Sequence, residues 1–422
     1  MGMQLEKPKL FPHKKVFVWF VFIFIALIIV RLSFLYMEYR EFISKPFYYT
    51  NASVIVSYKK MKHGNRYMVL KLKSDDGFTF YTTTHRKENF NNKRLRLQIF
   101  PNEDIDFKDY IGTFYVKSKI KHQEKIPFSK KNMLMLYMNM QHKNSSMASL
   151  YNAIFFAMPL DAKLRNKIAL LGISHLVALS GFHLGILWGL IYGFLILIYR
   201  PLQQRFFPYR YALIDVGIIG MALLGFYVWF VGFPPSLLRS YAMVLVGWII
   251  LLLGMELLSF SFLTSVFLML AIIFPYLLVS ISFWLSIAGV FYIFLLLQYN
   301  KTANKRVVTL LYIPIGIFVL MLPIVHAVFA TTSSYQLLSP IMSLLFVPFY
   351  PLAIFLHLVG MGSLFDNGLM YLLSLSTQGS EHILPLWIVF IYILLSIWAI
   401  WEKKLFYVVF VLASVYGVAL FI

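Results

Sequence analysis

The densest set of chemically capable side chains is Gly172-Ile173-Ser174-His175-Leu176-Val177-Ala178-Leu179-Ser180-Gly181-Phe182-His183-Leu184-Gly185, set in an apolar surround. Ser180 and His183 share a helical face at i,i+3, the spacing of a conceivable nucleophile and base. A serine in a membrane helix more often bonds its own i−4 carbonyl, so catalysis ranks below packing or gating. His175 and His183 lie eight positions apart, roughly 12 Å along a straight helix. They cannot share a metal ion unless the helix breaks near Ser180-Gly181, and no metal or other cofactor is expected. Gly181, Gly185, Gly189 and Gly193 recur every fourth residue. Such a ridge lets helix backbones approach closely in lipid. Two readings stay open: a packing face, or a polar path and helix break held by Ser180 and the two histidines.

Ionisable residues within apolar runs form a second set: Arg31, Asp215, Arg239 and Glu256. Charge in a bilayer is costly and suggests function, unless the side chain snorkels to a helix end. Glu256 falls in a connection, and Asp215 lies one turn from its helix end. Arg239 follows Phe233-Pro234-Pro235-Ser236 at the entrance of a span, and with Ser236 it offers donors for a phosphate. The expected polar path comprises His175, Ser180, His183, Asp215, Ser236 and Arg239.

A third set is basic and polar: Lys59, Lys60, Lys62, Arg66, Lys71, Lys73, Arg86, Lys87, Lys93, Arg94 and Arg96. Phe47, Tyr48, Tyr49, Tyr58, Tyr67, Phe78, Phe80 and Tyr81 are interleaved with them. Basic grooves with aromatic platforms bind single strands by neutralising phosphates and stacking bases. A basic face on anionic lipid, with the aromatics in a core, fits the same residues.

The elements that must position these sets follow from composition. Of 422 residues, 60% are apolar and 13% charged. Soluble domains carry about 25% charged residues, so this is a membrane composition. The net charge of +21 suits a polyanion or an anionic lipid surface. The absence of cysteine excludes disulfides and thiolate chemistry. No phosphate-binding Gly-rich motor motif occurs.

Residues 1–37 read as a basic cytoplasmic start and a retained anchor helix. Residues 38–130 carry short strand-like runs at Ala52–Tyr58, Arg66–Lys73, Phe78–Thr84, Arg94–Phe100 and Thr113–Ile120, and in the second Tyr67, Val69 and Lys71 alternate with Met68, Leu70 and Leu72. His63-Gly64-Asn65 and Asp75-Asp76-Gly77 supply turns. Five short strands suggest an OB-like β-barrel. Residues 131–172 suggest amphipathic helices in the headgroup plane. Over 173–422, spans fall at about 174–199, 212–231, 237–254, 259–279, 282–298, 307–329, 337–358, 384–400 and 404–422. The predicted fold is a polytopic α-helical membrane protein of about 9–11 spans with an inserted OB-like domain.

Basic clusters at Arg200/Arg205/Arg210, Lys301/Lys305/Arg306 and Lys403/Lys404 mark the cytoplasmic side, which puts residues 38–130 outside the inner membrane. Parity then fails between Gln336 and His382. Either a segment re-enters or Leu364–Leu375 crosses.

Ser174-His175-Leu176-Val177-Ala178-Leu179-Ser180-Gly181-Phe182-His183-Leu184-Gly185 resembles the S-H-L-L-A-I-S-G-L-H-V-G signature of the ComEC competence-channel family. Ala162-Lys163-Leu164-Arg165, Pro235-Ser236-Leu237-Leu238-Arg239-Ser240 and Ser282-Phe283-Trp284-Leu285-Ser286-Ile287-Ala288 are similar to further stretches of that family. Ser282 and Trp284 depart from its pattern. The resemblance implies an inner-membrane channel that carries single-stranded DNA into the cytoplasm during natural transformation. It also implies membrane lipids, an outer DNA receptor and cytoplasmic DNA-processing proteins as partners, and leaves a homo-oligomer open. Many relatives carry a C-terminal metallo-β-lactamase-like domain. That domain is expected to be absent here, so the chain is read as a channel and not an enzyme. Two rivals stand beside it: a membrane hydrolase using Ser180 and His183, and a transporter of another anionic or lipid-linked solute.

Overall fold

The computed structural model describes the chain except residues 1–9, 63–64, 87, 89, 91–92, 126–129, 254–258, 301–303, 376–378 and 422, and the side chains of residues 62, 65 and 235. The chain divides into two compact units: residues 13–129 with 265–284, and 130–264 with 285–422.

The first unit opens with α1 (Lys14–Ser44), 31 residues and about 46 Å long. It runs past the boundary expected at residue 37. The strands are β1 (Tyr48–Lys62), β2 (Asn65–Ser74), β3 (Thr79–Thr84), β4 (Lys93–Phe100), β5 (Phe114–Tyr115) and β6 (Lys117–Lys125), with helix α2 (Phe107–Ile111) before β5. Four of the five expected strands are present, and the fifth, expected over Thr113–Ile120, is divided at Val116 into β5 and β6. The strand order is β5-β3-β2-β1-β4-β6. β3 and β5 pair in parallel and the other neighbours are antiparallel. β5 and β6 stand at the two ends of that order, unpaired with each other, and only Val116 separates them in sequence. Period two decides the faces: Met68, Leu70 and Leu72 of β2 and Leu95, Leu97 and Ile99 of β4 enter one core with Phe80 and Phe114. The turn after β2 works because Gly77 takes φ +98°, which costs glycine little.

In the remainder, the helices are α3 (Lys130–Asn139), α4 (Ser145–Phe156), α5 (Ala162–Leu170), α6 (Ser174–Val177), α7 (Gly181–Phe206), α8 (Ala212–Phe230), α9 (Pro235–Leu252), α10 (Phe260–Ile273), α11 (Ile281–Tyr299), α12 (Lys305–Val325), α13 (Ser339–Leu358), α14 (Asp366–Leu375), α15 (Leu386–Trp398) and α16 (Lys403–Phe421). Among the described residues, seven helices are long and apolar enough to cross a bilayer. Three shorter apolar helices, α9, α10 and α15, occupy the other expected spans. The chain is a multi-pass membrane protein.

Two expectations change. Surface-lying helices over 131–172 do not describe α4, whose Leu150 to Phe156 are all buried. A helical stretch buried around its whole circumference belongs inside a bundle and not on a surface. The parity question also narrows, because the two ends of the stretch between Gln336 and His382 meet. β7 (Thr331–Thr332) pairs with β8 (Ser380–Glu381). That ladder brings the chain after α12 back beside the chain before α15. α13 and the stretch containing α14 are therefore an out-and-back excursion, and α14, 10 residues and about 15 Å long, is too short to span 30 Å.

Candidate functional site

The expected span at 174–199 is two helices. α6 ends at Val177, and α7 begins at Gly181. Ser180 caps α7 with extended backbone, φ −139° and ψ 179°. Its N–H donates to His183 Nδ1 at 3.3 Å. His183 thus reaches back from the third helical position, as Glu does in a capping box. Ser180 Oγ lies 3.3 Å from the same nitrogen. The lone pair that a hydrolytic base would need is already engaged by main chain, so this is cap geometry. The serine does not make the i−4 bond expected of it, because residues 178–180 are not helical.

Breaking a membrane helix frees backbone groups that lipid cannot satisfy. The first turns of α9 answer that need. Ser236 donates its hydroxyl to Leu179 O at 2.7 Å, and Ser240 donates to Ser236 O at 2.8 Å. Gly181 packs against this turn: a Cβ there would stand 3.1 Å from Ser240 Oγ. Arg239 sits on the same turn and is only 4% exposed.

α13 supplies the third wall. Ser343 Oγ lies 3.1 Å from His175 Nε2 and itself donates to Ser339 O. Phe346 and Tyr350 meet the His183 ring edge to face, at centroid distances of 5.0 and 4.9 Å. Residues 339, 343, 346 and 350 follow helical spacing along one face. His183 is completely enclosed, and His175 is exposed.

The sequence-derived polar path is therefore gathered only in part. His175, Ser180, His183, Ser236 and Arg239 belong to the turns around the break. Asp215 does not. It pairs with Arg210, Nε to Oδ2 at 2.8 Å, and accepts from the Tyr199 hydroxyl. Tyr199 lies 18 residues along α7 from Gly181, about 27 Å away. In the first turn of α8, the carboxylate also suits the positive helix terminus. The glycine ridge is corrected too. Gly185, Gly189 and Gly193 face open space, with nothing within 4 Å of an added Cβ, so within this chain only Gly181 of the four is a close-approach position. Arg31 is exposed on α1, and Glu256 lies outside the described residues.

Sequence reasoning missed Ser240, Ser343, Phe346 and Tyr350. A signal existed for Ser240, four residues from Ser236. The α13 residues lie 160 or more positions from His183, and no local pattern links them to it.

The basic set divides by environment. Lys59, Lys60, Arg66, Lys73, Arg86, Arg94 and Arg96 are exposed. Register places Lys73 and Arg94 both opposite Ser53, and Arg96 opposite Asn51, so these cations share the outward face of β2, β1 and β4. Lys71 is half-buried, 5.5 Å over the Tyr81 ring, and burial lowers its pKa. Arg94 is paired with Asp75, and Lys93 with Glu88 at 3.1 Å. The Lys62 side chain and Lys87 lie outside the described residues. Lys117, Lys119 and Lys121 on β6 are further exposed cations, legible in the alternation Lys-Ser-Lys-Ile-Lys yet not singled out. Of the aromatics, Phe78 and Phe80 pack in the core, while Phe47, Tyr49 and Tyr58 are exposed.

No curated protein and no solved structure matches the chain. A family model described as "Competence protein" matches residues 158–419, which contain the broken helix, the α9 turn and the α13 wall. With more than half of its length inside that match, the chain belongs to the competence protein family.

Proposed function

We propose that the chain is an inner-membrane channel for DNA uptake that passes a single strand to the cytoplasm in natural transformation. The observation that carries this reading is the broken helix at the signature residues. Its freed backbone groups are met by Ser236 and His183, with Arg239 on the same turn. Irregular backbone at membrane depth is tolerated where protein buries it or where it lines a polar cavity. His175, Ser180 and Arg239 are the side chains assigned to the path.

Residues 38–130 take the role of an extracytoplasmic DNA-holding domain in this reading. The sheet order, with β5 and β6 one residue apart at its two ends, supports an OB-like barrel. Lys73, Arg94 and Arg96 on one face, with exposed Tyr49 and Tyr58 in the same domain, support strand binding through phosphates and stacking. Lipids, an outer receptor, cytoplasmic DNA-processing proteins and further copies of the chain complete the assembly.

Cells lacking the chain should still take labelled DNA to the outer face of the inner membrane but lose its nuclease-protected entry into the cytoplasm. Entry at normal levels in those cells would overturn the proposal.

A further inference from the structure

Away from the broken helix, three titratable groups meet in the interior. His142 lies in the turn between α3 and α4, His357 in the last turn of α13, and Asp366 opens α14. The His142 side chain is fully enclosed, Asp366 has 10% of its side chain exposed, and His357 is 4% exposed. Asp366 Oδ2 and Oδ1 lie 2.9 and 3.0 Å from His142 Nδ1. His357 Nδ1 lies 2.6 Å from Ala353 O. The two Nε2 atoms face each other at 3.0 Å.

Hydrogen-bond bookkeeping fixes the proton count. A carbonyl only accepts, so His357 carries its hydrogen on Nδ1, and its Nε2 is an acceptor when the ring is neutral. The contact between His142 and Asp366 holds a second hydrogen, whichever partner owns it. With an ionised Asp366 and two neutral rings, both Nε2 lone pairs would point at each other inside the protein, beside an unbalanced carboxylate. That is doubly unfavourable. With both Nε2 atoms protonated, two N–H groups would collide. One proton between the rings satisfies every contact and leaves the cluster neutral.

The surroundings favour a cation on His142. Tyr151 of α4 stacks on its ring at 4.7 Å and 15°. An aromatic face stabilises a buried cation. The Tyr151 hydroxyl is enclosed and has no hydrogen-bond partner among the described residues. Besides Tyr151, the titratable groups of the neighbouring elements are Lys143, exposed in the same turn, Lys130, Lys131 and Tyr137 of α3, the buried Tyr350 of α13 and the exposed Tyr371 of α14. Gln141 braces the arrangement: its Nε2 donates to His357 O at 3.0 Å, and Gly362 N–H donates to its Oε1 at 2.8 Å.

We propose that His142, His357 and Asp366 form a buried proton-binding site, in which one proton held between the two imidazoles and balanced by the carboxylate fastens the end of α13 to the α3–α4 turn and to α14. A metal ion suits the geometry less well. The two Nε2 atoms would be its only ligands here, whereas structural zinc takes four. Among the described residues, no group of three or more His, Cys, Asp or Glu is placed so that it could hold a metal ion. The site does not depend on the DNA reading.

Nitrogen-15 histidine spectroscopy on the full chain in lipid bilayers at neutral pH tests it. The expected spectrum contains one doubly protonated ring, one neutral ring protonated on Nδ1, and a coupling through the hydrogen bond between their Nε2 atoms. Asp366→Asn should abolish the doubly protonated signal. His357→Gln, whose amide can donate to His142 Nε2, should keep the fold and lose the ring-to-ring coupling. Should either variant not fold, the wild-type spectrum still decides. Two neutral rings without coupling would overturn the proposal, as would one metal ion per chain bound between them in elemental analysis.

Discussion

Arg96 and Lys73 stand exposed on the outer face of a sheet, whereas His183 is enclosed between helices and, with the half-buried Ser236, meets backbone groups of the break. On the sheet, high dielectric and salt screening make each cation nearly independent of its neighbours. At the broken helix, an unmet polar group costs about 1–3 kcal/mol, so every donor and acceptor depends on the next. The sheet is therefore expected to tolerate loss of one residue at a time. The break is expected to fail as a unit.

The largest expected effect is at Gly181. Gly181→Leu forces a side chain into the Ser240 turn, and overpacking of this kind costs about 1–3 kcal/mol or more. Cytoplasmic DNA entry should be lost, while Gly189→Ala, into open space, should leave it intact; equal effects at both positions would break the contrast. Next comes His183→Ala, which removes the partner of Ser180 N–H and empties the space beside Phe346 and Tyr350. A loss of about 1–3 kcal/mol, read as a lower melting temperature of the purified chain, is expected. Ser236→Ala leaves Leu179 O without its hydroxyl partner and should cost about 1–3 kcal/mol.

On the sheet, Arg96→Ala should change stability by no more than about 0.5 kcal/mol. If the cation meets a phosphate, the salt dependence of oligonucleotide binding should fall by about 0.7 in log–log slope. An unchanged slope removes Arg96 from the binding face. The smallest effect concerns Lys71, whose pKa is lowered by burial. Between that lowered value and the unfolded value of about 10.4, the unfolded chain binds more protons, so stability rises with pH. Lys71→Met should flatten that rise and stabilise the chain near neutral pH. A melting-temperature profile as steep as that of the wild type would refute it.

Local patterns made much of this architecture readable. Alternation at Met68, Leu70 and Leu72 fixed a strand because side chains on a pleat change face at every residue. Apolar length marked the spans for an equally local reason, the thickness of hydrocarbon to be crossed. At the site, Ser180, His183, Ser236 and Arg239 were legible as polar residues where polarity is expensive. Their arrangement was less legible. The i,i+3 spacing of Ser180 and His183 suggested a shared helical face, yet the same spacing serves a cap at a helix start. Gly185, Gly189 and Gly193 show the same limit. A repeat every four residues defines a stripe, and nothing in the repeat says what lies opposite.

By itself, then, the sequence determined the membrane class, the strand-rich insert, the spans and the polar residues, since each depends on neighbours within a few positions. Only the tertiary structure decided that α9 and α13 wall the break, that Asp215 belongs to another helix end, and that His142, His357 and Asp366 meet. Those pairings join residues up to more than 200 positions apart. They depend on how helices stack once apolar surface and unmet backbone groups are satisfied together, and no short window of sequence contains that information.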